Sequence, residues 1–333
     1  MEEVRQPQVR SGLTLRFLNV GDGDSIFIEE RSPGKSFRML VDTGRSAVDQ
    51  PDPCLSCAEH LQRMGIRRLD LLMVTHLHED HAGGLEELAR RVEIGELVST
   101  YIPERPERRL RAEPDSPRTV QGMIACLNRW SQDVRRLTAY GSRITEVDKT
   151  MRNIWLTDRL TADWIVPDCD AMDLQRRVWD RMQGGDALAV EKKIAASKLR
   201  NPNSMRVRLR YAGREIVLAA DCYGHLWDSE ALMPCDLLKV PHHGDAKALT
   251  GALVSRLRPA HAVISCGREY IPDKDRPSAK TIGLLRSCGT RIWYTDAFSD
   301  GMQPPRSWPY VEFSIHEDGK LVAPASGGLC AGE

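Results

Sequence analysis

The chain has no apolar run approaching the ~18 residues of a membrane span, and its first ten residues are polar and charged where a secretory signal carries an apolar stretch. It has no excess charge of either sign. The 47 Lys and Arg balance 47 Asp and Glu, so overall charge alone does not bring it to nucleic acid. Its nine cysteines are odd in number and scattered, which argues against the paired framework of a small secreted domain. Cys54 and Cys57 form a lone C-x-x-C, and their plain reading is two thiols at the start of a helix. No internal repeat or low-complexity tract is visible. At 333 residues, 41% hydrophobic and 28% charged, the chain can bury a core and is not a disordered one. Soluble, cytoplasmic and globular is the expectation; the activity is left open.

The apolar pattern predicts short strands at Leu13–Leu18, Ser25–Glu30 and Phe37–Val41, separated by Gly, Asp and Pro turns. A helix is expected over Ser56–Met64, stopped by Gly65. Leu69–Thr75 is nearly continuous in apolar residues, as in a strand covered on both faces. A second helix, Gly84–Val92, and a strand, Glu96–Tyr101, follow. Thr119–Tyr140 carries Val120, Met123, Ile124, Leu127, Trp130, Val134 and Leu137 on one helical face, and 171–199 reads as a further helical stretch. Such faces are packing surfaces first. Strand character resumes at Ser204–Tyr211, Glu215–Ala220, Leu237–Val240, Ala262–Ser265, Arg291–Thr295 and Tyr310–His316, with a helix at Ser278–Cys288. Strands with helices between them imply two mixed sheets packed together and covered by helices.

The chemistry concentrates in loops. Thr75-His76-Leu77-His78-Glu79-Asp80-His81-Ala82-Gly83-Gly84 places three imidazoles and a carboxylate within six residues, directly after a buried strand. His and Asp are good ligands for zinc or manganese, and residues two apart on an extended loop converge on one ion. His76 and His78 can share one metal while Asp80 and His81 face a second. Gly83 and Gly84 let the backbone turn tightly beside them.

H-x-H-x-D-H followed by Gly-Gly resembles the metallo-β-lactamase superfamily. Further pieces, in order, resemble the branch that includes the hydrolase domain of the competence protein ComEC: Asn19-Val20-Gly21-Asp22-Gly23-Asp24-Ser25, Val41-Asp42-Thr43-Gly44, Asn201-Pro202-Asn203-Ser204, Ala219-Ala220-Asp221 and Lys239-Val240-Pro241-His242-His243-Gly244. The resemblance implies an α/β fold, an αββα sandwich of two mixed sheets flanked by helices. It implies one domain over 11–325, with 103–140 and 171–200 as insertions, and one or two divalent ions, Zn or Mn. Asp221 ends a strand, where its two oxygens can bridge two cations. His242 and His243 supply one ligand and one imidazole free to donate to a substrate oxyanion; His243 is taken as the ligand and His242 as the donor. Asp42 is either a carboxylate that orients a metal-bound imidazole or a plain turn former. Asp22 and Asp24 either reach the metal loop or form the Gly-Asp-Gly-Asp turn. Lys239 either offsets substrate charge or is structural. His60, His225, His261 and His316 are expected to be surface or packed histidines.

Two departures matter. No His lies between His81 and His225, so the first metal needs its third protein ligand elsewhere, and His243 is the expected substitute. Where the family's last ligand falls, this chain has Arg276-Pro277, and an Arg stays protonated and cannot ligate a cation. The second metal's shell is therefore expected to be incomplete, with Asp273 or Asp275 to compensate, a single ion, or Arg276 instead clamping a phosphate. The ligand set implies hydrolysis by metal-activated water, with Asp80 orienting the nucleophile and His242 or Arg276 facing the developing charge. The resemblance points to a phosphodiester in DNA, RNA or a nucleotide. Two rivals stand beside it: a hydrolase of a non-nucleic ester, lactone or amide, and a catalytically impaired binding subunit of a multi-protein system, such as a defence system, with the insertions as partner surfaces.

Overall fold

The computed structural model describes residues 11–46, 54–166, 169–227, 233–267, 276–296 and 309–324. Strands β1 (Gly12–Leu18), β2 (Ile26–Ser32) and β3 (Lys35–Val41) lead through helix α1 (Cys57–Arg63) into β4 (Arg68–Val74), α2 (Glu79–Ala82), α3 (Leu85–Arg91) and β5 (Glu93–Ser99). The long α4 (Arg118–Ala139) precedes β6 (Arg143–Glu146), β7 (Met151–Trp155), β8 (Leu160–Ile165), α5 (Cys169–Gly184) and α6 (Val190–Lys198). The second half runs β9 (Arg206–Tyr211), β10 (Arg214–Leu218), β11 (Leu237–Lys239), α7 (Gly251–Leu257), β12 (His261–Ile264), α8 (Ala279–Ser287), β13 (Arg291–Tyr294), β14 (Tyr310–His316) and β15 (Leu321–Val322).

Among the described residues, these strands make two mixed sheets, ordered β15-β14-β1-β2-β3-β4-β5-β6 and β13-β12-β11-β10-β9-β8-β7. The side chains sort by strand parity. Leu71 and Met73 of β4 join Leu15, Phe17, Val207, Leu209, Ile216 and Leu218 between the sheets. Leu72 and Val74 turn the other way, against Leu61, Leu85 and Leu88 of the helices. β4 is parallel to both its neighbours and covered on both faces, which is why its sequence reads as a continuous apolar run. The outer face of the second sheet packs Leu238, Val240, Ala262 and Ile264 against Leu253, Val254, Leu257 and Leu285 of α7 and α8. The result is the expected αββα sandwich.

Helix ends follow local chemistry. Ser56 and Glu59 form a reciprocal capping box that starts α1, with Cys57 buried in the first turn and Cys54 just before it. All seven apolar residues of the α4 stripe are buried in the helix-side core, each contributing about 1.5–3 kcal/mol for the larger side chains. The single helical stretch expected over 171–199 is instead two helices, parted at Gly185, whose φ of 93° an α-helix does not accept. Strands β6, β7 and β8 were not anticipated. Exposed residues dominate β7, and β8 buries a carboxylate, Asp163, that interrupts its apolar pattern and is held by Arg210 at 2.6 Å and Arg152 at 3.2 Å.

Candidate metal centre

The site forms where β3, β4, β10 and β11 end, so both sheets contribute to it. Backbone hydrogen bonds tie the loops together. Asp24 N–H donates to Asp80 C=O (3.0 Å), Thr43 N–H to His81 C=O (2.6 Å), His242 N–H to Ala220 C=O (2.9 Å) and, from one sheet to the other, Met205 N–H to Thr75 C=O (3.0 Å). Gly84 is required by close approach: a Cβ there would stand 2.4 Å from the Thr43 carbonyl oxygen. Asp42, Ala220, His242 and His243 all take positive φ, at 60°, 47°, 47° and 53°. Four non-glycine residues in the left-handed region, each costing on the order of 1 kcal/mol or more, gather in the loops that carry these side chains.

The side chains make two clusters. His76, His78 and Asp221 offer ligand atoms within 4.8 Å of one another, and so do Asp80, His81 and His243. Asp221, 1% exposed, joins them. Its Oδ2 lies 3.8 Å from His76 Nε2, and its Oδ1 lies 3.2 Å from His81 Nε2 and 3.9 Å from His243 Nε2. His243 Nε2 is also 3.4 Å from Asp80 Oδ2.

The rear nitrogens are anchored. His81 Nδ1 meets Asp42 Oδ2 at 2.7 Å, His243 Nδ1 meets the Ser265 carbonyl at 3.1 Å, and His76 Nδ1 meets the Thr75 hydroxyl at 3.2 Å. Anchoring Nδ1–H on an oxygen fixes the tautomer and turns the Nε2 lone pair inward, as a metal ligand requires. Asp42 is therefore more than a turn former; it also accepts the Thr75 N–H and hydroxyl, each at 2.8 Å.

Charges agree with this arrangement. Burial lowers His76 well below the usual imidazole range and takes His78 down to about 3, so both stay neutral, with His78 Nδ1 meeting His76 Nε2 at 3.0 Å. Burial alone would lower His81 and His243 and raise Asp80 and Asp221; instead the carboxylates around them hold both imidazoles above their ordinary range, and these protonated rings hold Asp80 and Asp221 well below theirs, so a bound ion would take the place of those protons. The fit to a divalent ion is tested by the atoms left over. His81 Nε2, His243 Nε2 and Asp221 Oδ1 are buried without a hydrogen-bond partner. Buried polar atoms are rarely left so, and these three converge on one point from different loops. One or two divalent ions fit this donor set.

Several expectations change. His243 does not complete the His76–His78 cluster; it stands with Asp80 and His81, because the left-handed turn at 242–243 carries its ring under the α2 loop. The Asp80–His81 cluster is therefore not the deficient one, and Asp273 and Asp275 lie outside the described residues. His242 is beside the centre, its Nε2 3.7 Å from Asp221 Oδ2 and its Nδ1 2.6 Å from Asp245 Oδ2. That Nε2 faces the Asn201 amide (3.0 Å) and the Arg276 guanidinium. A neutral His242 protonated toward Asp245 accepts there, and it donates to a substrate oxygen only as the imidazolium. Lys239 does not meet substrate: it is wholly buried and paired with Asp24 behind His81 and His243. His60 is a packed histidine bonded to the Asn19 carbonyl at 2.9 Å. Sequence reasoning missed Asn201 and Asp245 as partners of His242. The carboxylate three residues after His242 was a readable signal; the Asn201 contact had none.

Residues 18–135 match the family model described as the metallo-beta-lactamase superfamily. ComE operon protein 3 of Bacillus subtilis (strain 168) is 25% identical over 295 residues, covering 84% of this chain and 31% of that protein, so the chain spans about a third of its relative's length. Among solved structures, the metallo-beta-lactamase fold protein YhfI from Bacillus subtilis is 9% identical with a TM-score of 0.46, over 91% of this chain and 99% of that one. Zinc-bound PqqB from Methylobacterium extorquens is 10% identical with a TM-score of 0.44, over 85% and 97%. The two-sheet sandwich and the ligand clusters at its strand ends thus accompany a match over residues 18–135 to the metallo-beta-lactamase superfamily, which this part of the chain resembles.

Proposed function

We propose that this protein is a metal-dependent phosphodiesterase acting on nucleic acid or a nucleotide. The observation that carries the reading is Asp221, whose two carboxylate oxygens divide between the His76–His78 and Asp80–His81–His243 clusters. His76, His78 and Asp221 would hold one ion, and Asp80, His81, His243 and Asp221 the other. Such an ion, when bound, lowers the pKa of water to about 7 and polarises a phosphoryl oxygen.

The chain's own residues supply the rest. Asp80, kept ionised by His243 and His81, accepts a hydrogen bond from the attacking water and so aims its lone pair. Asn201 and Arg276 point N–H groups at the same place beside His242, where charge grows on the phosphoryl oxygens in the transition state. His242, its Nδ1 held by Asp245 at 2.6 Å, keeps its Nε2 at the edge of the centre, 3.7 Å from Asp221 Oδ2, and so positions the Asn201 and Arg276 donors there. No serine or cysteine nucleophile is needed.

An Arg where the superfamily resemblance leads one to expect a His favours an anionic substrate, since a guanidinium matches a phosphate bidentately. The balanced net charge keeps a hydrolase of a neutral ester, lactone or amide as the second reading. The test is an assay with manganese or zinc on linear DNA, circular DNA, RNA and cyclic nucleotides, with the His76→Ala/His78→Ala protein as control. Metal-dependent cleavage lost in the control is expected. Turnover of neutral esters alone would refute the phosphodiester reading, and fewer than about 0.5 ion per chain would favour a binding subunit.

A further inference from the structure

Arg200 belongs to no motif discussed above. It follows α6 and immediately precedes Asn201, the residue that meets His242. Its half-buried guanidinium donates from Nε to the Ser197 carbonyl (3.2 Å) and from Nη2 to the Ser197 hydroxyl (3.4 Å), and its Nη1 reaches Cys126 Sγ at 3.8 Å. Cys126, on α4, lines one small cavity with Leu77, His78 and Glu79. Arg200 thus stands beside the His78–Asp80 limb of the metal loop, as Arg276 stands beside His242.

A guanidinium has five N–H donors, and these contacts use three. None goes to a carboxylate. Among the described residues, no Asp or Glu oxygen comes within 4.0 Å of Arg200, whereas Arg136 is paired with Asp133 at 2.7 Å and Arg210 with Asp163 at 2.6 Å. The carboxylate nearest in effect is Asp80, already engaged by His243. A cation partly removed from water beside the metal loop, with donors to spare and no carboxylate partner among the described residues, is built to receive an anion.

We propose that Arg200 is a second substrate-contacting cation beside the metal centre, its two remaining N–H donors taking the oxygens of a phosphate next to the scissile one. The assignment rests on the phosphodiester reading and narrows it. Two guanidiniums on separate loops, one beside His78 and the other beside His242, suit a chain of phosphates, an oligonucleotide rather than a mononucleotide.

The test uses the full chain and a fluorescein-labelled single-stranded decadeoxynucleotide. Binding is followed by anisotropy in EDTA and cleavage in manganese, for wild type, Arg200→Gln and Arg200→Lys. Arg200→Gln should weaken binding and raise KM about 10-fold, with kcat changed less than about 3-fold, the loss of one charge-assisted contact. The slope of log affinity against log salt should fall by about 0.7, and Arg200→Lys should recover it. Metal content and melting temperature should match wild type. If wild type binds and cleaves the decamer and Arg200→Gln does so equally well, the Arg200 assignment is overturned while the phosphodiester reading stands. Loss of metal in both variants would overturn it in favour of a structural role. An equal KM effect on a cyclic mononucleotide would move Arg200 to the scissile phosphate and remove the oligonucleotide assignment. If metal-loaded wild type cleaves no phosphodiester, the underlying reading fails, and this one with it.

Discussion

Replacing Asp42 with Asn separates orientation of a ligand from its presence. Asn is close to isosteric and tolerates the left-handed backbone that residue 42 adopts at φ 60°, so the fold should survive. The hydrogen bonding should not. Asp42 Oδ1 accepts the Thr75 N–H, and Oδ2 accepts both the Thr75 hydroxyl and His81 Nδ1–H. An amide has only one oxygen. If it faces the Thr75 N–H, its NH2 confronts His81 Nδ1–H, and relief requires His81 to move its proton to Nε2, which removes the lone pair facing Asp80 and His243. Loss of such an orienting partner costs about 10- to 100-fold in metal affinity. At saturating metal this is about 1.4–2.7 kcal/mol of linked stability. The metal-free protein should not be destabilised to match, because burial already raises the Asp42 carboxyl above its usual range and the amide removes that burden. Competition with a chelator of known affinity, with thermal melts in EDTA and in zinc, measures both quantities. Zinc affinity within about twofold of wild type would refute the argument that Asp42 holds the His81 tautomer.

Other substitutions probe separate parts. His243→Ala should reduce ions per chain from two toward one in native mass spectrometry, since it removes an imidazole from the Asp80–His81 cluster alone; retention of both ions would show that the clusters are wrongly divided. Gly84→Ala should lower the melting temperature and cost about 1–3 kcal/mol, since its Cβ would overlap the Thr43 carbonyl oxygen, and an unchanged melt would contradict that packing. Asp133 is buried beside Arg136, and burial pushes its carboxyl up to about 7. The folded chain keeps that proton while the unfolded chain releases it near pH 4, so stability should fall as pH rises from about 4 to 7, by at most about 4 kcal/mol. Asp133→Asn should flatten that fall in denaturant titrations and be the more stable protein at pH 8; parallel profiles would exclude the effect.

The parts of this protein legible in sequence are those set by neighbours in the chain. The start of α1 was readable because Ser56 and Glu59 bond each other, the buried character of β4 because its apolar run is unbroken, and the His76–His81 loop because six residues hold four ligand-type side chains. Strands β6 to β8 were not readable, since short strands with exposed or salt-bridged residues carry little period-2 signal. Sequence alone therefore determined the layer type, the ligand chemistry and the presence of an Arg where a ligand was expected. Only the tertiary structure decided which imidazole joins which cluster, that Lys239 neutralises Asp24 rather than a substrate, and that Arg200 stands beside the metal loop with no carboxylate oxygen within 4.0 Å among the described residues. Those are distances between residues on different strand ends, and they follow from how two sheets pack and where a left-handed turn points a ring. No local spacing in the chain encodes them.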